Sequence, residues 1–266
     1  GKQAVITGGS SGIGRAMAVL LSELGASVAI IGRNKARLRE VQRQIEEASE
    51  NKNSKHAAIQ ADISDFHSVE KSFKQIENKT GSIDILINSA GIVRPGYFHS
   101  LPLNHYQEQM NTNYFGTLYS CRAVLPGMME RGKGHIANIS SLAGLISIFG
   151  YTAYAPTKFA VTGLTKAMRQ ELKGRGISVS LLCPPDTDTP QLAEENLHKP
   201  HETKAIAGNA GMLSAESVAK DLAEGMAKNK FLILPGLESK IVYALSRFIP
   251  GISETVMDWQ IRRSRK

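Results

Sequence analysis

Short apolar runs rich in β-branched residues recur along the chain, each followed by a stretch of helical length. They are Ala4-Val5-Ile6, Val28 to Ile31, Ala57-Ala58-Ile59, Ile85-Leu86-Ile87, His135 to Ile139 and Val179 to Leu182, with a seventh at Phe231 to Leu234. Such runs lack the in-out alternation of a sheet with one wet face, so they predict strands buried on both sides. Strands alternating with helices predict βαβ units, and right-handed crossovers then give an α/β, doubly wound parallel sheet. The rhythm breaks between Asp186 and Met212, a polar segment punctuated by Pro190, Pro200, Gly208 and Gly211. Length and composition predict a substrate-binding loop over 186–212.

No linker-like shift of composition divides the 266 residues, so residues 1–236 are expected to form one domain. Beyond it Leu237, Ile241, Ala244, Leu245 and Phe248 fall at helical spacing, followed by Ile249-Pro250-Gly251 and a second set, Ile252, Val256 and Trp259. With Lys240, Arg247 and the tail Arg262, Arg263, Arg265 and Lys266, this amphipathic segment, 237–266, has two readings. It lies in a membrane interface as a peripheral contact, or it packs in the core or a subunit interface, the commoner fate of such a stripe. A homo-oligomer is the expected assembly.

A hydrophobic content of 42% with 21% charged residues excludes a disordered chain. The net charge of +8 suits a nucleic-acid binder, an anionic surface or an enzyme using a phosphorylated cofactor. The basic residues are scattered until the tail, so nucleic acid is not an expected partner. No apolar run reaches the ~18 residues of a membrane span. Cys121 and Cys183 lack metal-ligand or Cys-x-x-Cys spacing, which predicts core thiols in a reducing, cytoplasmic setting and no metal site.

The first predicted strand runs into Thr7-Gly8-Gly9-Ser10-Ser11-Gly12-Ile13-Gly14, and a helical pattern follows at once. Glycines there permit a tight turn, let backbone approach a pyrophosphate and bring helix against strand, while the helix N-terminus faces the phosphates. This predicts a Rossmann-like dinucleotide site at Gly8, Ser10, Ser11, Gly12, Ile13 and Gly14. The second strand ends in Gly32-Arg33-Asn34, where an acid would otherwise hold a ribose 2′-hydroxyl. A missing acid, with Arg33 and Arg37 able to meet a 2′-phosphate, predicts NADP(H) rather than NAD. Asp62, after the third strand, is placed for the adenine or for a helix cap.

Farther on come Asn113, Ser141 and Tyr154-Ala155-Pro156-Thr157-Lys158. Tyr154 and Lys158, four apart, share one face of a helix. A free tyrosine titrates near pH ~10, and a lysine cation with an oxidised nicotinamide in a dry cleft is expected to draw that down. Pro156 is tolerated in a first helical turn, so the helix is expected to begin near Thr152, with Tyr154 at its mouth.

Thr7-Gly8 through Gly14, Asn88-Ser89-Ala90-Gly91, Asn113-Tyr114-Phe115-Gly116, Ser141, Tyr154 and Lys158, in this order and spacing, resemble the short-chain dehydrogenase/reductase family. The resemblance implies a catalytic tetrad of Asn113, Ser141, Tyr154 and Lys158, with Tyr154 as proton donor. It implies that Asn113 holds a water on the Lys158 side, that Lys158 binds the nicotinamide ribose, and that Asn88, Ala90 and Gly91 line the cofactor. Ser89 and Pro185 depart from the commonest family pattern. The run Pro184-Pro185-Asp186-Thr187-Asp188-Thr189-Pro190, then Ala193 to Asn196 and Lys199-Pro200, is similar to the 3-ketodihydrosphingosine reductases within the family.

That similarity implies NADPH-dependent reduction of a long-chain amino-ketone lipid at the cytosolic face of a membrane, the endoplasmic reticulum in a eukaryote. It also places Pro184, Thr187 and Thr189 beside the cofactor. Carboxylates of the Asp186, Asp188, Glu194, Glu195 group are candidates to meet the substrate amine, with Asp186 and Glu194 chosen to join Ser141 and Tyr154 as substrate-binding residues. Leu142 to Phe149 is a candidate wall for the alkyl chain.

Overall fold

The computed structural model describes residues 1–207, 211–249 and 251–265; Gly208, Pro250 and Lys266 lie outside the described residues. All seven apolar runs become strands. The strands are β1 (Gln3–Thr7), β2 (Ser27–Gly32), β3 (Ala57–Gln60), β4 (Ile85–Asn88), β5 (Gly134–Ile139), β6 (Ile177–Leu182), two short additions β7 (Thr187–Asp188) and β8 (Leu213–Ser214), and β9 (Leu232–Ile233). Among the described residues seven of them form one parallel sheet in the order β3-β2-β1-β4-β5-β6-β9, and β7 pairs with β8. The winding reverses between β1 and β4, the place where a doubly wound sheet opens a crevice for a ligand.

The helices between the strands are α1 (Gly12–Glu23), α2 (Lys35–Ala48), α3 (Phe66–Thr80), α4 (Leu103–Gln109), α5 (Gly116–Arg131) and α6 (Ala155–Glu171). After β6 come α7 (Pro190–His198), α8 (His201–Ala207), α9 (Ala215–Ala227), α10 (Gly236–Phe248) and α11 (Ile252–Ser264). Successive strand residues point to opposite faces, so each run feeds two cores. Ala4, Ile6, Val28 and Ile30 pack with Met17 and Leu21 of α1, Val41 and Ile45 of α2, and Leu222 of α9. Val5, Ala29, Ile31 and Leu86 pack with Phe73 and Ile76 of α3 and Val124 and Met128 of α5.

Two expectations are corrected. Over its described residues the segment 186–212 is largely helical rather than a loop: its prolines start helices rather than break them. Pro190 opens α7, whose N-cap Thr189 accepts a hydrogen bond from Leu192 N at 3.2 Å, and the Pro200 carbonyl accepts from Lys204 N at 3.0 Å. The C-terminal segment is helical as expected, but its apolar stripe does not enter the core. α11 packs against α8, with Arg265 Nε donating to Glu202 Oε1 at 3.1 Å, while Leu237, Ile241, Leu245, Phe248, Val256 and Trp259 remain exposed. No described helix is long and apolar enough to cross a membrane.

Candidate active site

A cleft of about 300 Å³ runs along the C-terminal ends of the strands, and every turn from β1 to β6 contributes to it. After β1 the chain turns at Gly8, where φ is +68° and a Cβ would lie 2.6 Å from Ala90 Cα. Only glycine allows both that backbone and that approach to the β4 turn. Ser10, Ser11, Gly12 and Ile13 line the cleft, and α1 opens onto it with a Ser11 N-cap whose side chain makes no capping bond. Backbone N–H groups at such a helix start suit a pyrophosphate. Gly14 does not line the cleft. A Cβ there would meet the Gly8 carbonyl oxygen at 2.4 Å, so this glycine lets α1 seat against the turn.

Arg33 and Arg37 both line the cleft beyond β2, and neither has a carboxylate partner among the described residues. Asn34 caps α2 by accepting from Arg37 N at 3.0 Å. Asp62 lines the cleft after β3 and its Oδ1 also accepts from Ser64 N at 2.9 Å; the cap of α3 belongs to Asp65 instead. Ala90 and Gly91 line the cleft after β4. Asn88 does not: its Nδ2 donates to Asn138 Oδ1 at 2.9 Å and to Cys121 Sγ at 3.3 Å, in a buried network that ties β4 to β5 and α5. The Asn88 side chain therefore braces the strand end. Both cysteines are free and buried, as core thiols.

Ser141 and Tyr154 face each other across the cleft floor. Ser141 follows β5, and Tyr154 is the N-cap residue of α6, with Pro156 inside the first turn. Two backbone bonds into the Tyr151 carbonyl, from Tyr154 N at 3.0 Å and Ala155 N at 2.8 Å, start the helical winding one turn earlier, close to the predicted Thr152. Lys158 Nζ lies 5.6 Å from the centroid of the Tyr154 ring and donates to the Ile139 carbonyl at 3.0 Å.

The electrostatics differ from expectation. Burial pushes the Tyr154 phenol above its ordinary value, Glu195 and Asp186 add to this, and a hydrogen bond with Ser141 opposes it. Lys158 is itself held down to about 8 by burial. Desolvation dominates at both groups because they sit in the same dry floor. The chain alone thus keeps Tyr154 protonated near neutrality, as a proton donor requires.

Asn113 occupies a π-helical turn, Met110–Phe115, that joins α4 to α5. Its Oδ1 accepts from Ile92 N at 2.8 Å, and its Nδ2 donates to the Ile92 carbonyl and to Thr157 Oγ1, each at 2.9 Å. The side chain is thus committed to protein partners, and Asn113 does not line the cleft. It clamps the Gly91-Ile92 turn to the first turn of α6. The π turn itself had no sequence signal; such bulges concentrate at functional sites.

On the far side, Pro184, Asp186, Thr187 and Thr189 all line the cleft. A Cβ on Gly12 would come within 3.0 Å of Thr189 Cγ2, so the start of α7 closes over the start of α1. Glu194 is corrected: it points outward, 3.5 Å from His198. Its neighbour Glu195 lines the cleft, buried and bonded to the Tyr151 hydroxyl. Helix phase explains the swap, because Leu192 and Glu195 are three apart and share the inward face. Of the apolar wall, Ala143 and Ile148 reach the cleft.

Residues 2–200 match the short chain dehydrogenase family. The chain belongs to that family. Among curated relatives, this short chain dehydrogenase is 38% identical over 247 residues to the 3-dehydrosphinganine reductase of Danio rerio, covering 92% of this chain and 74% of the relative. It is 39% identical over 232 residues to the 3-ketodihydrosphingosine reductase of Mus musculus, covering 87% and 70%. A short chain dehydrogenase/reductase from Burkholderia phymatum, solved in complex with NAD, superposes with a TM-score of 0.83 at 26% identity over 93% of each chain. A short-chain dehydrogenase from Sphingobium yanoikuyae in complex with NADPH gives 0.79 at 23% identity, over 97% of this chain and 95% of that one, and shares the fold.

Proposed function

We infer that this protein reduces 3-oxosphinganine (3-ketodihydrosphingosine) to sphinganine with NADPH, a step of sphingolipid synthesis. The observation that carries the reading is one cleft holding the glycine turn, Ser141, Tyr154 and Lys158, in a chain 38–39% identical over most of its length to the zebrafish and mouse reductases of this ketone. The residues fit a nicotinamide dinucleotide: the Gly8 cradle and the α1 N-terminus suit its pyrophosphate, and Lys158 would hold its ribose. Arg33 and Arg37, with no acid at the end of β2, favour the 2′-phosphate of NADPH. When bound, that cofactor supplies the hydride.

The chain supplies position and charge. Ser141 hydrogen-bonds the oxygen that becomes negative as the ketone is reduced, and Tyr154 delivers its proton there. Lys158 holds positive charge beside the phenolate that is left behind. Asn113 keeps the Gly91-Ile92 turn and the α6 start in register. Ala143 and Ile148 give the lipid an apolar wall. The exposed stripe on α10 and α11, beside Arg262 and Arg263, supports peripheral contact with a membrane on its cytosolic face, from which such a lipid is drawn.

Turnover of 3-oxosphinganine and of a 3-oxoacyl thioester, each with NADPH and NADH, tests the reading. The expected result is sphinganine formation with NADPH at the highest kcat/KM of the four. Preference for the thioester would overturn the substrate, and preference for NADH the cofactor.

A further inference from the structure

The substrate half of the cleft holds a polar cluster that the steps above leave unused. Glu195 lines the wall beside Tyr151 and Leu192, and its side chain is only 9% exposed. Both of its contacts fall on one oxygen: Oε1 accepts from the Tyr151 hydroxyl and lies 3.0 Å from Lys199 Nζ. Oε2 makes no hydrogen bond or ion pair among the described residues. Lys199 is buried too, and it is shared: its Nζ lies 3.5 Å from Asp186 Oδ2. Two carboxyl groups share one ammonium: Glu195 and Lys199 are nearly closed to water, Asp186 is 39% exposed, and no second cation completes the set among the described residues. A buried charge that is incompletely matched is unfavourable until a cation completes it.

We propose that Glu195, with Asp186 and Lys199 behind it, is the subsite for the substrate's ammonium and sets selectivity for a 2-amino ketone over a ketone without the amine. The proposal rests on the substrate reading above. The placement suits it: the Tyr151 ring stands 5.7 Å from the Tyr154 ring and hands its hydroxyl to Glu195, so the carboxylate lies one side chain from the proton donor. An amine on the carbon next to the ketone needs that proximity. A charge-assisted bond from the ammonium to Oε2 would also cancel the charge that helps hold the Tyr154 phenol up, easing proton delivery for the amine-bearing substrate alone.

The test compares kcat/KM for 3-oxosphinganine with that for its analogue in which hydrogen replaces the 2-amino group, both with NADPH. Wild type is expected to prefer the amino ketone. Glu195→Gln should lower the ratio of the two values by about 10- to 100-fold, chiefly through KM for the amino ketone. Asp186→Asn should lower it less, and Glu195→Asp should keep part of it. A fall that is equal for both ketones, or an unchanged ratio, overturns the subsite and leaves the substrate reading standing. Wild type inert toward 3-oxosphinganine overturns both. Should Glu195→Gln fail to fold because Lys199 keeps only Asp186 as a partner, Glu195→Gln with Lys199→Met removes the buried ammonium and carries the same comparison.

Discussion

On the cofactor side of the cleft, tight turns and a helix start set the surface: the Gly8 turn, the first turn of α1 and the Ala90-Gly91 turn after β4, with Arg33, Arg37 and Asp62 farther out. On the substrate side it is side chains: Tyr151 and Tyr154 from the start of α6, Leu192 and Glu195 from α7, Asp186 from the turn before β7. A backbone surface is fixed once the strands are in register, and glycine is the residue that makes it possible. A side-chain surface depends on helix phase, where a displacement by one residue turns a group from the cleft to the solvent. Glu194 and Glu195 show the consequence, one paired outside with His198 and the other buried against Tyr151.

The largest expected effect falls where the two halves meet. Tyr154→Phe removes the proposed proton donor but little of the cleft surface around the Gly8 turn, so kcat should drop by about 10²- to 10⁴-fold while NADPH affinity, read by fluorescence titration, stays within about twofold. Loss of both together would mean that Tyr154 holds the cofactor as much as it serves the chemistry. Next in size, Gly8→Ala places a side chain at φ +68° and within 2.6 Å of Ala90 Cα. Strain of about 1–2 kcal/mol or more should weaken NADPH binding roughly tenfold, whereas the same titration on Glu195→Gln should show almost none of that loss.

Arg33→Ala sharpens the cofactor half. Losing one charge-assisted contact should raise KM for NADPH by about tenfold or more and leave KM for NADH nearly unchanged. Equal changes for both would remove the 2′-phosphate from the account.

Lys158 gives a pH signature of the dry floor. Its folded pKa of about 8 lies below that of a free lysine, near ~10.4, so between those values the unfolded chain binds a proton that the folded one lacks. Stability from this group therefore rises with pH across that window and is least below it. Urea unfolding of wild type and Lys158→Met at several pH values from neutrality upward should show wild type gaining on the variant by roughly 1–3 kcal/mol. A pH-independent difference would mean that the ammonium is not desolvated. The smallest effect is Glu194→Gln, an exposed pair expected to shift stability by no more than about 0.5 kcal/mol and kcat/KM by less than about twofold.

Much of this was legible in the chain itself. Apolar runs with no in-out alternation required strands covered on both faces, and the helical stretches between them required a parallel sheet; all seven runs are strands of one sheet. The glycines from Gly8 to Gly14 and the position of Pro156 placed the tight turn after β1 and the helix mouth at Tyr154, because φ above zero and the missing proline N–H are local constraints. The prolines at 190 and 200 misled for the same local reason, since a proline that starts a helix and one that breaks it look alike until the flanking cap is seen.

What only the tertiary structure decided is which polar groups are dry and which face inward. Burial, not sequence, raises Tyr154 and lowers Lys158, and it arises from strands and helices distant in the chain. The commitment of Asn88 and Asn113 to protein partners, the choice of Glu195 over Glu194, and the exposure of the stripe on α10 and α11 likewise depend on contacts between distant segments. Sequence fixes local backbone geometry and periodicity directly. Desolvation and helix phase relative to a cleft exist only once the segments have packed.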